Sequence, residues 1–290
     1  MTIADLLRLF ALAACWGLAF VFISVAVPPL GPVALVEVRA IVACALLYAY
    51  MRYTGVTLDF SGRWRIYLVS GAIGSALPFT LIAAAQTVQS VSYSVILISA
   101  APLLSALVAA AIQDERLTWR RAAGLLLGVA GVVILTGWDP AEAGLPPLWA
   151  VGLTLAAATA YAIAGVYARR YMTGMAPQAA ATGSQLSSAL ILAPLGLFFP
   201  PLATPSPLVL LNVLALALFS SALAFVLYFR LIASIGTVRT LSVNYLMPLF
   251  GVGGGVLILD EPLTANVIAG ALVIFAGLAL ILGAKPGPRA

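Results

Sequence analysis

The stretch SVSYSVILISAAPLLSALVAAAIQDERLTWRRAAGLLLGVAGVVILTG, residues 90–137, has a second copy in the chain. Residues 236–283 read GTVRTLSVNYLMPLFGVGGGVLILDEPLTANVIAGALVIFAGLALILG. A shift of 146 residues aligns the two without a gap and superposes Pro102 on Pro248 and one Asp-Glu-x-Leu-Thr motif on the other. This internal similarity indicates a duplication of the whole chain.

The composition places both copies in a lipid bilayer. Of 290 residues, 63% are hydrophobic and only 8% are charged, whereas soluble domains carry about 25% charged residues. A water-soluble fold is excluded, because its core would need a charged surface to cover it. Apolar segments of about 20 residues, enough to cross about 30 Å of hydrocarbon, recur along the chain. They predict ten helices, at about residues 5–26, 33–52, 65–86, 91–112, 119–137, 148–169, 177–199, 208–232, 238–259 and 264–284.

Positive charge orients these helices. With ten spans both chain termini lie on one side, which is predicted to be cytoplasmic because it holds nearly all the basic residues. Those residues are Arg8, Arg52, Arg63, Arg65, Arg116, Arg120, Arg121, Arg169, Arg170, Arg230, Arg239, Lys285 and Arg289. The remaining one, Arg39, lies inside the second helix.

The two copies enter the membrane in opposite directions, because each contains five helices. Charge agrees with this: Asp114-Glu115 is followed by three arginines, whereas Asp260-Glu261 is followed by no basic residue before the predicted tenth helix ends. The predicted fold is an all-α polytopic membrane protein of ten transmembrane helices, built as two inverted five-helix repeats at residues 1–140 and 145–290. Many secondary transporters have this architecture. A bacterial inner membrane is the predicted location.

Several other classes of protein are disfavoured. The net charge of +5 is scattered between apolar runs, so no nucleic-acid partner is predicted. The chain has no histidine, and Cys15 and Cys44 lie inside apolar segments, so neither a metal nor a cofactor is predicted. The first apolar run, residues 9–27, is interpreted as a membrane span rather than a signal peptide, because it is long enough to cross the bilayer.

Two prolines indicate where a binding site could lie near the centre of the membrane. Interrupted helices at matching positions of inverted repeats mark the binding site in many transporters. Pro102 and Pro248 lie mid-span, and each removes one backbone hydrogen bond, so they are predicted to be hinges of helices four and nine. The alternative is a pair of static kinks that only shape packing.

Matching the remaining residues by the repeat shift predicts a substrate cavity. Polar and aromatic groups recur at equivalent places, a pattern that suits a ligand with a polar end and an apolar end. The matched positions, with Ile98 opposite Asn244, and other polar groups inside helices three, four, eight and nine predict a cavity lined by Trp16, Arg39, Phe79, Gln86, Tyr93, Ser99, Tyr161, Gln185, Phe225, Tyr228, Asn244 and Tyr245. Hydrogen bonding between helices is the alternative role for the polar members.

Arg39 is the most informative of these residues. A guanidinium about two turns inside a span is costly unless it faces water, a partner or a ligand carboxylate. Glu37 is not expected to pair with it, because residues two apart on a helix point to different faces. The alternative is an arginine that extends to the outer headgroups.

The two acidic pairs lie just ahead of helices five and ten. Acidic residues favour the positive N-terminal ends of helices. Asp114-Glu115 and Asp260-Glu261 are therefore predicted to cap these two helices rather than to couple ions.

Together these features resemble one family. Trp16-Gly17 followed by Phe20, the intramembrane Arg39, the mid-span prolines and the two Asp-Glu-x-Leu-Thr junctions resemble the drug/metabolite transporter superfamily, EamA type. The resemblance implies a monomer with a central cavity that exports small metabolites by alternating access. Family members include exporters of aromatic and other amino acids, and carriers of nucleotide sugars, triose phosphates and cationic drugs. An aromatic or large apolar amino acid is the expected substrate, and another small metabolite or a cationic drug is the alternative.

Two activities from other classes remain as alternatives. One is an intramembrane enzyme acting on lipid-linked substrates, which the absence of histidine and of paired intramembrane carboxylates disfavours. The other is a channel.

Overall fold

The computed structural model describes residues 2–101, 103–104, 119–136, 146–236, 240 and 243–282. This part of the chain is helical and has no strand, which confirms the predicted fold class. Its ten helices are α1 (Ile3–Leu30), α2 (Pro32–Tyr53), α3 (Phe60–Ala85), α4 (Val91–Ile98), α5 (Trp119–Thr136), α6 (Leu148–Tyr171), α7 (Pro177–Gly196), α8 (Pro207–Ile235), α9 (Val243–Leu259) and α10 (Ala265–Leu282).

The lengths and surfaces of these helices suit a bilayer. Helices α1, α2, α3, α6 and α8 are each long and apolar enough to cross a membrane. Large apolar side chains such as Leu126, Leu210 and Leu272 are exposed. Such side chains are stable on a surface that contacts lipid.

Helix α1 is longer than predicted. It continues through Pro28 and Pro29 to Leu30. Prolines this close to the end of a helix remove backbone hydrogen bonds only from its last turns, so the helix is not broken before them. The N–H of Gly31 then donates to the Val27 carbonyl over 2.8 Å. Gly31 has a φ of 73°, a positive value that glycine adopts without steric cost. The chain changes direction at this residue, and α2 begins at the next one.

The two repeats interlock rather than form separate lobes. Helix α1 packs on α9, α2 on α7 and α8, α3 on α6 and α7, and α5 on α10. Each of these pairs joins one repeat to the other. Helices α5 and α10 contact mainly each other and stand beside the other eight. The proposed repeat boundaries at 1–140 and 145–290 stay a prediction.

The acidic junction of the second repeat does not cap the helix that follows it. The N–H of Val267 in α10 donates to the Thr264 side chain over 3.3 Å. The carboxylate of Glu261 is bonded instead to the start of α4. The predicted capping of helix ten by Glu261 is therefore wrong. Asp114-Glu115 lies outside the described residues.

Candidate substrate-binding site

Arg39 is buried in the middle of the molecule. Its side chain extends from α2 toward α8 and is only 2% exposed. Nε donates to Ser221 Oγ over 2.7 Å, and Nη2 donates to Ser220 Oγ over 2.8 Å. The guanidinium carbon lies 3.7 Å from the centroid of the Phe79 ring, a cation–π contact. Arg39 does not extend to the outer headgroups, so that alternative is wrong.

No carboxylate neutralises this guanidinium in the described part of the chain. The ion pairs found there are Arg8 with Asp5 and Arg63 with Asp59. Glu37 lies against Gly196 of α7 and forms no ion pair with Arg39, as expected. A buried charge without a counter-ion is costly, and two hydroxyls and a ring offset only part of that cost. The site therefore favours an anionic ligand group, above all a carboxylate, which matches the planar guanidinium.

A cluster of aromatic rings extends from Phe79, the ring that contacts this charge. Phe79 packs edge-on against Tyr161 and Phe225, with ring centroids 6.2 and 6.4 Å apart. The cluster continues through Phe229 to Tyr228, and Tyr228 lies 5.4 Å from the Trp16 ring. Helices α1, α2, α3, α6 and α8 thus bring together six of the predicted residues: Trp16, Arg39, Phe79, Tyr161, Phe225 and Tyr228. Phe229 was not among the residues predicted from the sequence.

The arginine contact has a counterpart in the other repeat. Ser75 Oγ donates to Gln185 Oε1 over 3.3 Å, and the shift of 146 residues carries Arg39 to Gln185 and Ser75 to Ser221. Both serines lie in π-helical turns, Ala72–Ala76 in α3 and Leu216–Leu223 in α8. Such turns are frequent at functional sites. The pseudo-symmetric halves of the site therefore differ, with a cation in one and a neutral amide in the other.

Ser75, Ser220 and Ser221 were not predicted from the sequence as members of the site. A serine in an apolar helix carries no strong signal by itself, since its hydroxyl can bond its own backbone. The repeat shift would have found Ser221 from Ser75. Nothing in the sequence marks Ser220.

Two other predicted residues form hydrogen bonds with backbone carbonyls. Gln86 donates from Nε2 to the Phe20 carbonyl of α1 over 3.1 Å, an interhelical hydrogen bond. Ser99 is buried and donates to the Val95 carbonyl over 2.8 Å within its own turn. Tyr93 and Asn244 are buried. Their part in a cavity stays a prediction.

The hinge prediction also remains open. Pro248 is buried within the continuous helix α9. Pro102 and the side chain of Tyr245 lie outside the described residues.

The comparison with known proteins decides the family. The model of the EamA-like transporter family matches residues 4–137 and again residues 148–283. The chain belongs to the EamA-like transporter family. The two matches correspond to the two halves that the sequence shift revealed, so the predicted resemblance is confirmed. As a member of this family, the protein is a multi-pass membrane protein.

Its relatives in this family are distant. An uncharacterized transporter of Archaeoglobus fulgidus is 22% identical over 272 residues, covering 92% of this chain and 94% of that protein. A protein of Salmonella typhimurium named a probable amino-acid metabolite efflux pump is 25% identical over 281 residues, covering 91% and 89%. A solved structure described as "Crystal structure of protein" has a TM-score of 0.67 at 20% identity and covers 97% and 96% of the two chains. That structure supports the fold alone.

Replacing both serines that hold the guanidinium is expected to destabilise this EamA protein. Each hydrogen bond to a charged group contributes about 1.5–3 kcal/mol, so Ser220→Ala combined with Ser221→Ala lowers the melting temperature measured in detergent. Ser61→Ala, at an exposed position in α3, is the control and leaves it unchanged. Equal melting temperatures for the double variant and the parent would show that the serines do not support Arg39.

Proposed function

We propose that this protein is a secondary transporter that exports amino acids with aromatic or large apolar side chains. Transport takes place by alternating access through a central cavity between the two repeats. The observation that carries this proposal is a buried Arg39 with no described counter-ion, set in a cluster of aromatic side chains.

The guanidinium accounts for the polar end of the substrate. A carboxylate supplies the negative charge that the described surroundings of Arg39 lack, and burial makes such an interaction stronger than in water. The same charge repels cationic drugs, the alternative substrates of this fold. A phosphorylated metabolite carries more negative charge than this one buried cation offsets.

The aromatic cluster accounts for the apolar end. Phe79 contacts the guanidinium, Tyr161 and Phe225 pack against Phe79, and Trp16 joins the same cluster through Tyr228. Aromatic pairs prefer tilted or edge-on geometries and bury a large apolar area, so these rings would offer apolar contacts to an aromatic or large aliphatic side chain of the substrate. Gln185, whose buried Nε2 has no hydrogen-bond partner in the part of the chain that the structure describes, offers a further polar contact across the pseudo-two-fold axis.

The relatives favour transport over the other activities considered. The Salmonella typhimurium relative is named for the efflux of amino-acid metabolites, and the Archaeoglobus fulgidus relative is named a transporter. Neither an intramembrane enzyme nor a channel has support from these names. We place the protein in a bacterial inner membrane as a monomer, with both termini in the cytoplasm and the substrate moving outward.

Uptake into proteoliposomes tests this function. Labelled amino acids are offered to vesicles with and without the same unlabelled amino acid inside, and with or without a pH gradient. We expect saturable uptake of phenylalanine, tryptophan or leucine that preloading accelerates, and none in protein-free vesicles. Uptake of a cationic dye or a nucleoside, with silence across all amino acids, would overturn the proposal. Uptake without saturation would indicate a channel.

A further inference from the structure

One carboxylate joins the two repeats near the surface of the molecule. Glu261 lies in the segment between α9 and α10 of the second repeat. Its Oε1 accepts the backbone N–H of Val91 over 2.6 Å, and its Oε2 accepts the N–H and the hydroxyl of Ser92 over 3.0 and 2.7 Å. Val91 and Ser92 open α4 of the first repeat. Three hydrogen bonds, each to a charged acceptor, therefore tie the start of α4 to the end of α9.

The backbone around Glu261 is shaped to deliver this carboxylate. The residue before it, Asp260, has a φ of 53°, a left-handed conformation that aspartate tolerates better than most residues. The Glu261 N–H donates back to the Gly255 carbonyl over 3.1 Å. A Cβ on Gly255 would lie 2.6 Å from Glu261 Oε2, so only glycine leaves room for the bonded carboxylate.

Three hydrogen bonds stabilise this contact, but the rotation of a single side chain can break it. A carboxylate at a helix N-terminus is favoured by the unpaired N–H groups and by the helix dipole. Glu261 is only partly buried, so rotation of one side chain into water would break all three bonds together. Further along the same seam, a Cβ on Gly251 would lie 2.8 Å from a Val95 methyl. Helices α4 and α9 are therefore in close contact at this point as well.

We propose that the contact of Glu261 with Val91 and Ser92 holds the transporter closed on its outer side. We call this contact the latch. Basic residues place the α9–α10 segment on the side opposite the termini, so the three bonds hold that side closed. They must break for the cavity to open outward, because the two repeats have to separate there. The role in transport rests on the alternating access of the proposed function, but the latch itself can be tested without any substrate.

A distance measurement tests the latch. Spin labels are attached at Val88→Cys and Leu263→Cys, both exposed positions beside the contact, in a background of Cys15→Ala and Cys44→Ala in lipid nanodiscs. The parent is expected to show a predominant short distance. Glu261→Gln replaces one acceptor oxygen with a donor group, and the ratio of long to short distances should rise about tenfold.

Two further variants sharpen this test. Gly255→Ala keeps the charge and displaces the carboxylate by steric contact, so it should open the same side and decides the question if Glu261→Gln fails to fold. Asp260→Asn removes the neighbouring exposed charge, retains tolerance for the left-handed backbone, and should leave the distances unchanged.

The possible outcomes separate the latch from the transport proposal. Parent-like distances in both Glu261→Gln and Gly255→Ala would overturn the latch, as would equal opening in Asp260→Asn. A shift of distances in a protein that carries no amino acid would support the latch and overturn the proposed function.

Discussion

Replacing Arg39 with leucine is expected to abolish transport of amino acids while leaving the protein folded. Removing one partner of a buried charge interaction costs about 2–5 kcal/mol, so the specific uptake rate should fall about 100-fold or more. Stability should hold or increase, because an apolar side chain in place of a buried charge is often neutral or stabilising. Uptake into proteoliposomes and thermal melting in detergent measure the two quantities on the same preparation.

Two further variants separate a ligand contact from a structural one. Arg39→Lys keeps the charge but loses the planar fork that binds a carboxylate through two nitrogens, so we expect partial uptake. Arg63→Leu removes an exposed arginine whose ion pair with the exposed Asp59 contributes at most about 1 kcal/mol, so uptake should be unchanged and the melting temperature nearly so. Full uptake by Arg39→Leu, or loss of uptake only together with a collapse of the melting temperature, would show that Arg39 is not a substrate contact.

Gly17→Ala is expected to destabilise the junction between the two repeats. A Cβ at this position of α1 would lie 2.5 Å from the Met247 carbonyl oxygen and 2.8 Å from the Phe250 Cβ of α9. Because backbone atoms cannot move aside without shifting the helix, overpacking here costs about 1–3 kcal/mol or more. The melting temperature should fall, and uptake should fall with it because the neighbouring Trp16 is displaced.

A matched glycine in α6 provides the control. A Cβ on Gly165 would meet no atom within 4 Å, and alanine is the better helix former by up to about 1 kcal/mol. Gly165→Ala should therefore melt at the parent's temperature or slightly above it. Identical melting curves for the two variants would mean that α1 and α9 are not in close contact at Gly17.

The architecture was readable from the sequence because bilayer physics leaves few choices. Every backbone polar group in a membrane must be satisfied internally, so apolar stretches of this length become helices. The shift of 146 residues then indicated two copies, and the odd helix number indicated their inversion. The end of the first helix was less well predicted: it was expected near residue 26, whereas α1 runs to Leu30.

The centre of the candidate site was predicted by the same symmetry. Equivalent positions of inverted repeats lie around one axis, so matching Phe79 with Phe225, and Trp16 with Tyr161 at a shift of 145, selected members of one cluster. Phe79 contacts both Phe225 and Tyr161, and Trp16 joins through Tyr228. No local sequence pattern indicates the π-helical turns that contain Ser75 and Ser221.

The partner of Glu261 could not be predicted from the sequence. An acidic residue just ahead of a helix normally predicts a cap for that helix. Its actual partner in α4 is 170 residues away in the chain. Only the fold brings these residues together.

The most direct measurement of the central claim compares two inhibitors that differ only in their carboxylate. Labelled phenylalanine is exchanged into preloaded proteoliposomes, with unlabelled phenylalanine or phenylalaninamide as competitor. If Arg39 receives the carboxylate, phenylalanine should inhibit and the uncharged amide group should weaken inhibition about 30-fold or more. Equal inhibition by both compounds would contradict the assignment of Arg39 as the receptor of the substrate's negative charge.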